Sequence, residues 1–387
     1  MNFLFPYMAR WKAINWSRYQ QLFTRLAKMG HMVYVLQPPP SANLIETNYQ
    51  EIEAALPEKL RLIDVEVNPA VWNRTFPLNK LVKKGYYTIC SRKKVQEIVT
   101  QCNIDVLFLY NIPQYPLMNC CNCFKVFDYA DDYRAMLEHE LGRYRNRMIL
   151  YLADFLLERM VKKSNMTLAI SNILADNLRH TGADIKVLPN GADEDDFHLN
   201  PEIDLGLNYK KPVVGFLGSF EYFIDFDLIL SVAGKMPEIT FLLVGAGRDF
   251  TWVKQEVEKR QLGNVVLTGA VPHSQIAYYI KMMDICLNVF KKISVSHSAC
   301  PLKLFEYLIM KKPVISSRLK EIEIINKNFV FYADTTEEMI ETINMLLEDK
   351  PKAIEYGQRG YNATIREYTW NKIAFKLLDM ITKIKGR

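Results

Sequence analysis

Long apolar runs are scarce in this 387-residue chain: the longest nearly apolar stretch runs only from Met148 to Leu157 and is broken by Asp154. Crossing a bilayer takes roughly 20 apolar residues, so no membrane-spanning helix is expected. Cysteines are few as well. There are seven, and Cys120, Cys121 and Cys123 have neither a second cluster nor nearby histidines to complete a four-ligand zinc site, so reduced thiols are expected. No strand-like run is followed by Gly-x-Gly-x-x-Gly with an acidic residue about 20 positions on, which argues against a nicotinamide dehydrogenase. The start, MNFLFPYMARW, lacks the basic residues, apolar stretch and small-residue cleavage site of a signal peptide, so the expected location is cytoplasmic. Nor is there a strong charge of one sign. Lys plus Arg number 49 against 43 Asp plus Glu, a surplus of +6 that is too dilute to point to a nucleic-acid partner.

What is present is ordinary for a globular chain: 49% hydrophobic and 24% charged residues, which excludes disorder, collagen-like repeats and a coiled-coil rod. The length suits two domains. Strand-like runs at Phe3 to Phe5, Met32 to Leu36, Val106 to Leu109, Val126 to Phe127, Met166 to Ile170 and Lys186 to Leu188 alternate with helical patterns. After a polar, acidic stretch from Asp193 to Asn208, the alternation starts again with Val213 to Leu217, Thr240 to Val244, Asn264 to Thr268 and Ile285 to Val289. Strands alternating with helices predict two doubly wound α/β domains, each a parallel sheet covered on both faces. The last helix carries Trp370, Ile373, Ala374, Leu377, Leu378 and Ile381 at the spacing of one buried stripe and is expected to pack across both domains.

In open parallel sheets, ligands bind at the carboxyl ends of strands, where loops and helix starts present N–H groups to anions. Gly218 follows one such strand and Gly245 another; each allows a backbone to approach a phosphate, or is simply a tight turn. Lys303 and Glu306 are three apart at the start of a helix. There the lysine suits a diphosphate and the carboxylate suits ribose hydroxyls, the alternative being a solvated ion pair. Asp128, Asp131 and Asp132 follow the strand Val126 to Phe127, where clustered carboxylates repel and raise the pKa of at least one, or else cap the next helix. His297 sits in the loop before Lys303 and is either near a transferred group or solvated. The row Met148, Tyr151, Leu152, Phe155, Leu156 and Met160 reads first as the core face of a helix, with an anionic membrane surface as the alternative. Basic residues flank it at Arg143, Arg145, Arg147, Arg159, Lys162 and Lys163, and a second basic cluster includes Lys80, Lys83, Lys84, Arg92, Lys93 and Lys94.

The run Val187–Leu188–Pro189–Asn190–Gly191–Ala192–Asp193 followed by Phe197, the segment Gly263 to Gly269, the loop at Val271–Pro272 and the stretch Phe305 to Ser316 fall in the order of family 4-like (group 1) glycosyltransferases. Trp11, Gln20 and Ser171 continue the resemblance in the first half. Many retaining members of that family have two glutamates separated by seven residues; Glu306 matches the second, but the first position is Ser298. The family's usual Arg and Lys after the first strand of the nucleotide domain are absent, and that segment, Gly218 to Asp227, offers Glu221 instead. This combination resembles the teichuronic acid-type subgroup and, more distantly, glucuronosyltransferases of exopolysaccharide assembly, in which a lysine at this helix start contacts the donor pyrophosphate.

The resemblance implies the GT-B fold: two Rossmann-like domains facing a cleft, an acceptor-binding domain over 1–195 plus the C-terminal helix 368–387 crossing back to it, and a donor-binding domain over 196–367. It implies transfer of a sugar from a nucleoside diphosphate sugar, a UDP-sugar by expectation, to a lipid-linked or polysaccharide glycan in cell-surface polysaccharide synthesis. Donor-binding residues would be Gly218, Glu221, Gly245, Val271, His297, Ser298, Lys303 and Glu306, with Asp131 or Asp132 as catalytic base in an inverting transfer. No cofactor and no metal are expected, since Lys303 can take over charge compensation. An anionic membrane surface is a further expected partner, at the inner face of the plasma membrane. An inactive donor-binding partner subunit and a sugar-nucleotide epimerase remain the alternatives.

Overall fold

The computed structural model describes residues 1–12, 16–40, 55–76, 78–142, 146–197 and 205–386. They form two compact units, Met1–Pro189 with Ile373–Arg387, and Asn190–Lys372. In the first, strands β1 (Asn2–Pro6), β2 (Met32–Gln37), β3 (Leu60–Asp64), β4 (Val106–Leu109), β5 (Phe124–Tyr129), β6 (Met166–Ala169) and β7 (Ile185–Val187) make one sheet in the order β3-β2-β1-β4-β5-β6-β7. All its pairs are parallel. The central strands read as unbroken apolar runs because helices cover both faces: every residue of β4 is buried. Edge strand β3 escaped the sequence reading because Arg61 and Asp64 interrupt it.

The second unit repeats the plan with β8 (Val213–Leu217), β9 (Thr240–Val244), β10 (Val265–Leu267), β11 (Ile285–Asn288), β12 (Val314–Ser316) and β13 (Phe331–Tyr332), ordered β10-β9-β8-β11-β12-β13 and again parallel. Both sheets are doubly wound, as expected. Strand order reverses beside β1 in the first and beside β8 in the second, and the crevice at such a reversal is where these sheets hold ligands. Side-chain caps set the helix starts, among them Asp225 and Thr335. The helix Trp370–Lys385 buries Trp370, Ile373, Ala374, Leu377 and Ile381. From Ile373 onward it belongs to the first unit, where Lys385 pairs with Asp105 at 3.0 Å.

Three expectations need correction. The helix Arg147–Lys163 packs through Leu150, Leu157, Met160 and Val161, and of the row read as its core face only Met160 is buried. Of that row Met148 is 78% exposed, Tyr151 72%, Leu152 54% and Phe155 43%. Periodicity identified an apolar stripe, but a second buried stripe beside it claimed the core. Lys83, a member of the second basic cluster, is buried and not at the surface, with its ammonium 5.4 Å from the Trp72 ring centroid. Cys121 and Cys123 are disulfide-bonded, their Cα atoms 5.5 Å apart in the turn before β5, a separation a disulfide spans; Cys120 is a free, buried thiol.

Gly245 shows how tightly the strand ends of the second unit approach. Its φ is +129°, and a Cβ there would stand 2.1 Å from the carbonyl oxygen of Gly218. Gly245→Ala should therefore cost about 2–3 kcal/mol, read as a lowered urea midpoint of this unit. At Gly263 an added Cβ meets nothing within 4 Å, and Gly263→Ala should cost less than about 0.5 kcal/mol. Equal midpoints for the two variants would contradict this packing.

Candidate functional site

At the reversal point of the second sheet, β8 ends at Leu217 and leads to Gly218, and β11 leads to Phe290. The helix Leu302–Ile309 starts beside both, and its place is fixed by Tyr307, whose hydroxyl accepts a 2.7 Å hydrogen bond from the Leu217 N–H. This brings the Lys303 ammonium to 3.9 Å from the Phe216 ring centroid and 5.2 Å from that of Phe290. It also lies against Gly218, where a Cβ would sit 2.9 Å from both Cε and Nζ of the lysine. Gly218 is thus required for the lysine's position.

Lys303 and Glu306 are both buried at 9% exposure. Among the described residues neither side chain has a hydrogen bond or an ion pair, although they share a helix face. Burial pushes Lys303 down to about 7, Glu306 opposing, and pushes Glu306 up to about 7, with Lys303 opposing and Asp196 adding. A cation and a carboxyl held dry and unsatisfied are costly unless a ligand completes them.

The other expected donor residues are distributed around this point. The N–H groups of Gly218 and Gly245 donate within the sheet edge, to Val244 at 3.0 Å and to Gly269 at 3.0 Å, so these glycines supply close approach rather than free donors. Glu221 pairs with Arg248 at 3.1 Å. Arg248, in the Gly245–Ala246–Gly247–Arg248 loop, was missed from sequence; a lone arginine after glycines carried no signal until the fold set it beside Glu221. Ser298 is buried and its hydroxyl donates to the Val295 carbonyl at 3.2 Å, closing the turn of Ser294–His297. His297 accepts from the Lys320 N–H at 3.4 Å through Nδ1; partial burial, then Lys320 and Lys292, hold its pKa below the ordinary value. Val271 is half-buried between β10 and the turn His273–Gln275.

In the first unit, β5 carries Asp128 into the interior, where Arg18 meets it with Nε at 2.8 Å and Nη2 at 3.3 Å. Asp132 caps the helix Tyr133–Leu141, accepting from the Ala135 N–H at 3.0 Å. Asp131 is the member of the cluster open to solvent. Protein crowded around its carboxyl raises its pKa, with Lys84 and Arg18 opposing and Asp128 and Asp132 adding. Two neighbouring hydroxyls, Tyr19 and Tyr133, are buried with no partner among the described residues. The carboxylates thus divide into one neutralised by arginine, one serving as helix cap, and one accessible and poised to take a proton.

Residues 227–379 match the glycosyl transferase-like family. Over 234 residues the chain is 25% identical to TuaH of Bacillus subtilis (strain 168), a protein named for a glycosyltransferase role in teichuronic acid biosynthesis. That match covers 57% of this chain and 58% of TuaH, so it spans less than two thirds of the relative's length. Among solved structures, a sucrose-phosphate synthase from Thermosynechococcus elongatus aligns over 100% of this chain and 99% of its own, with TM-score 0.80 and 14% identity. HepE of Anabaena, solved in complex with UDP-glucose, aligns over 99% and 100% with TM-score 0.70 and 13% identity. The chain therefore has the GT-B architecture of two doubly wound α/β units, and the part of it that matches the glycosyl transferase-like family lies mostly in the second unit.

Proposed function

We propose that the chain is a glycosyltransferase that takes a sugar from a nucleoside diphosphate sugar and passes it to a glycan or lipid-linked acceptor in cell-surface polysaccharide synthesis. The observation that carries this reading is the buried, unsatisfied Lys303 and Glu306 at the reversal point of the second sheet. A pyrophosphate supplies the charge that Lys303 lacks, and ribose hydroxyls donate to the Glu306 carboxylate. Gly218 and Gly245 leave room for the phosphates, Val271 lies by the base, Glu221 with Arg248 borders the loop, and His297 and Ser298 stand toward the transferred sugar. UDP is the favoured nucleotide, since HepE, which shares the fold, was solved with UDP-glucose bound. The TuaH match supports a surface polysaccharide as product.

In the transfer, Asp131 accepts the proton of the attacking acceptor hydroxyl as its oxygen bonds to the anomeric carbon. The bond from that carbon to the β-phosphate oxygen breaks, and the nucleoside diphosphate leaves with the electron pair, its charge met by the Lys303 ammonium rather than by a metal ion. Attack on the face opposite the leaving group inverts the anomeric centre. Asp131→Asn should lower turnover of a UDP-sugar with acceptor by about 10²–10⁴-fold at unchanged donor affinity, in the presence of EDTA. Asp132→Asn should instead cost about 1 kcal/mol of stability and only a few-fold in rate. Equal rates for Asp131→Asn and the parent, or an anomeric configuration retained in the product, would reject the mechanism.

Lys303 carries a second expectation. Its folded pKa of about 7 lies below the ordinary 10.5, so the burden of burying its charge is full below pH 7 and is relieved as pH rises from 7 toward 10.5. Lys303→Met should abolish UDP binding yet stabilise the apoprotein by about 1–3 kcal/mol at pH 7, the gain shrinking toward pH 10. A variant that both binds UDP and melts like the parent would refute the assignment.

The exposed row Met148, Tyr151, Leu152 and Phe155, flanked by Arg147, Arg159, Lys162 and Lys163, supports peripheral docking on anionic lipid. Arg159 already stacks over Phe155 at 5.1 Å. Arg143 and Arg145, the other flanking cations, lie outside the described residues. Each cation at such a surface contributes about 1 kcal/mol, screened by salt. Sedimentation with phosphatidylglycerol vesicles should occur at low salt, fade at high salt and weaken on Leu152→Ser; no sedimentation at low salt would rule the surface out.

A further inference from the structure

A cavity of about 400 Å³ opens in the first unit beside the end of β5, within the ~300–1,000 Å³ of small-molecule sites. Tyr129, the last residue of β5, lines it at 2% exposure. Among the described residues its hydroxyl has no hydrogen-bond partner, while its ring packs beside those of Phe127 and Tyr133. The hydroxyl is reached from the cavity, where it can donate to and accept from whatever occupies it.

The rest of the lining states what that partner is. Arg134, Asn177 and His180 bring donors, while Asp154 and Glu158 bring acceptors. Leu157 and Leu178 add apolar surface. A sugar ring needs this mixture, since each hydroxyl both donates and accepts and its C–H faces pack on aliphatic groups. An anion needs donors alone, and the cation here is already spent: Arg134 pairs with Glu138 at 3.0 Å and with Asp154. His180 stands 3.5 Å from Glu158. A phosphate or uronate would meet Asp132, Asp154 and Glu158 with no unengaged cation among the described lining residues to offset them.

We infer that this cavity is a binding site for an uncharged sugar unit. Asp132, the residue after the candidate base Asp131, lines the same cavity. That the sugar belongs to the acceptor rests on the transfer reading above; the binding itself does not.

Saturation-transfer NMR on the full chain without nucleotide tests it, with methyl glucoside and N-acetylglucosamine as uncharged probes and glucuronate and inorganic phosphate as anionic ones. The uncharged sugars should bind with millimolar affinity and the anions should not. Asn177→Ala, at an exposed position, and Tyr129→Phe, which keeps the ring, should each weaken binding about fivefold, the worth of roughly one hydrogen bond. Both should keep the parent's UDP affinity, which separates loss of this site from loss of the nucleotide reading. No uncharged sugar bound by the parent, anions bound as well as the sugars, or both variants binding as the parent does would each overturn the assignment.

Discussion

The structure of the second unit turns on keeping Lys303 and Glu306 out of water without giving either a partner among the described residues. Each charge costs several kcal/mol to desolvate, and a hydrophobic pair at these positions would be the stabler choice for folding alone. The fold nevertheless holds them there by specific means. Phe216 and Phe290 offer ring faces to the ammonium, Gly218 removes the side chain that would collide with it, and Tyr307 ties the helix to the end of β8. Unsatisfied charge sustained by so much local packing is what a preorganised anion site requires, because reorganisation is completed during folding and not on binding.

In the first unit the same physics sorts three neighbouring aspartates. Asp128 is fully buried and is met by Arg18 across 110 residues of sequence, so its charge is neutralised in place. The aromatic rings of Phe5, Tyr19, Phe108 and Tyr110 pack against one another with centroids 4.4 to 6.4 Å apart, and Tyr19 among them feels the Asp128 charge. Asp132 is committed to the first turn of its helix. What remains is Asp131, accessible and with its pKa raised, the one carboxylate of the three whose chemistry is not already used.

The surface of the first unit shows a division between apolar and polar patches on one helix. Along Arg147–Lys163 the outward row is apolar with basic flanks, while Asp154, Leu157 and Glu158 line the cavity beside β5. A helix that buries Leu150, Leu157, Met160 and Val161 has only part of its circumference committed to the core. The remaining faces are therefore open to carry recognition.

The sequence by itself determined the two parallel sheets, since strands buried on both faces must be continuous apolar runs, as in β4, β8 and β9. It also marked Lys303 with Glu306, because residues three apart on a helix share a face whatever the tertiary context. Periodicity could not say which of two apolar stripes on Arg147–Lys163 meets the core, so Met148, Tyr151, Leu152 and Phe155 were misplaced inward. Spacing could not divide the aspartates, because the roles of Asp128, Asp131 and Asp132 depend on Arg18 and on where a helix begins. Arg248 beside Glu221 and Tyr307 beneath Leu217 were likewise invisible. These were decided only by the tertiary structure, because a side chain's charge state, burial and partner are set by neighbours distant in sequence, whereas its local face is set by the backbone repeat alone.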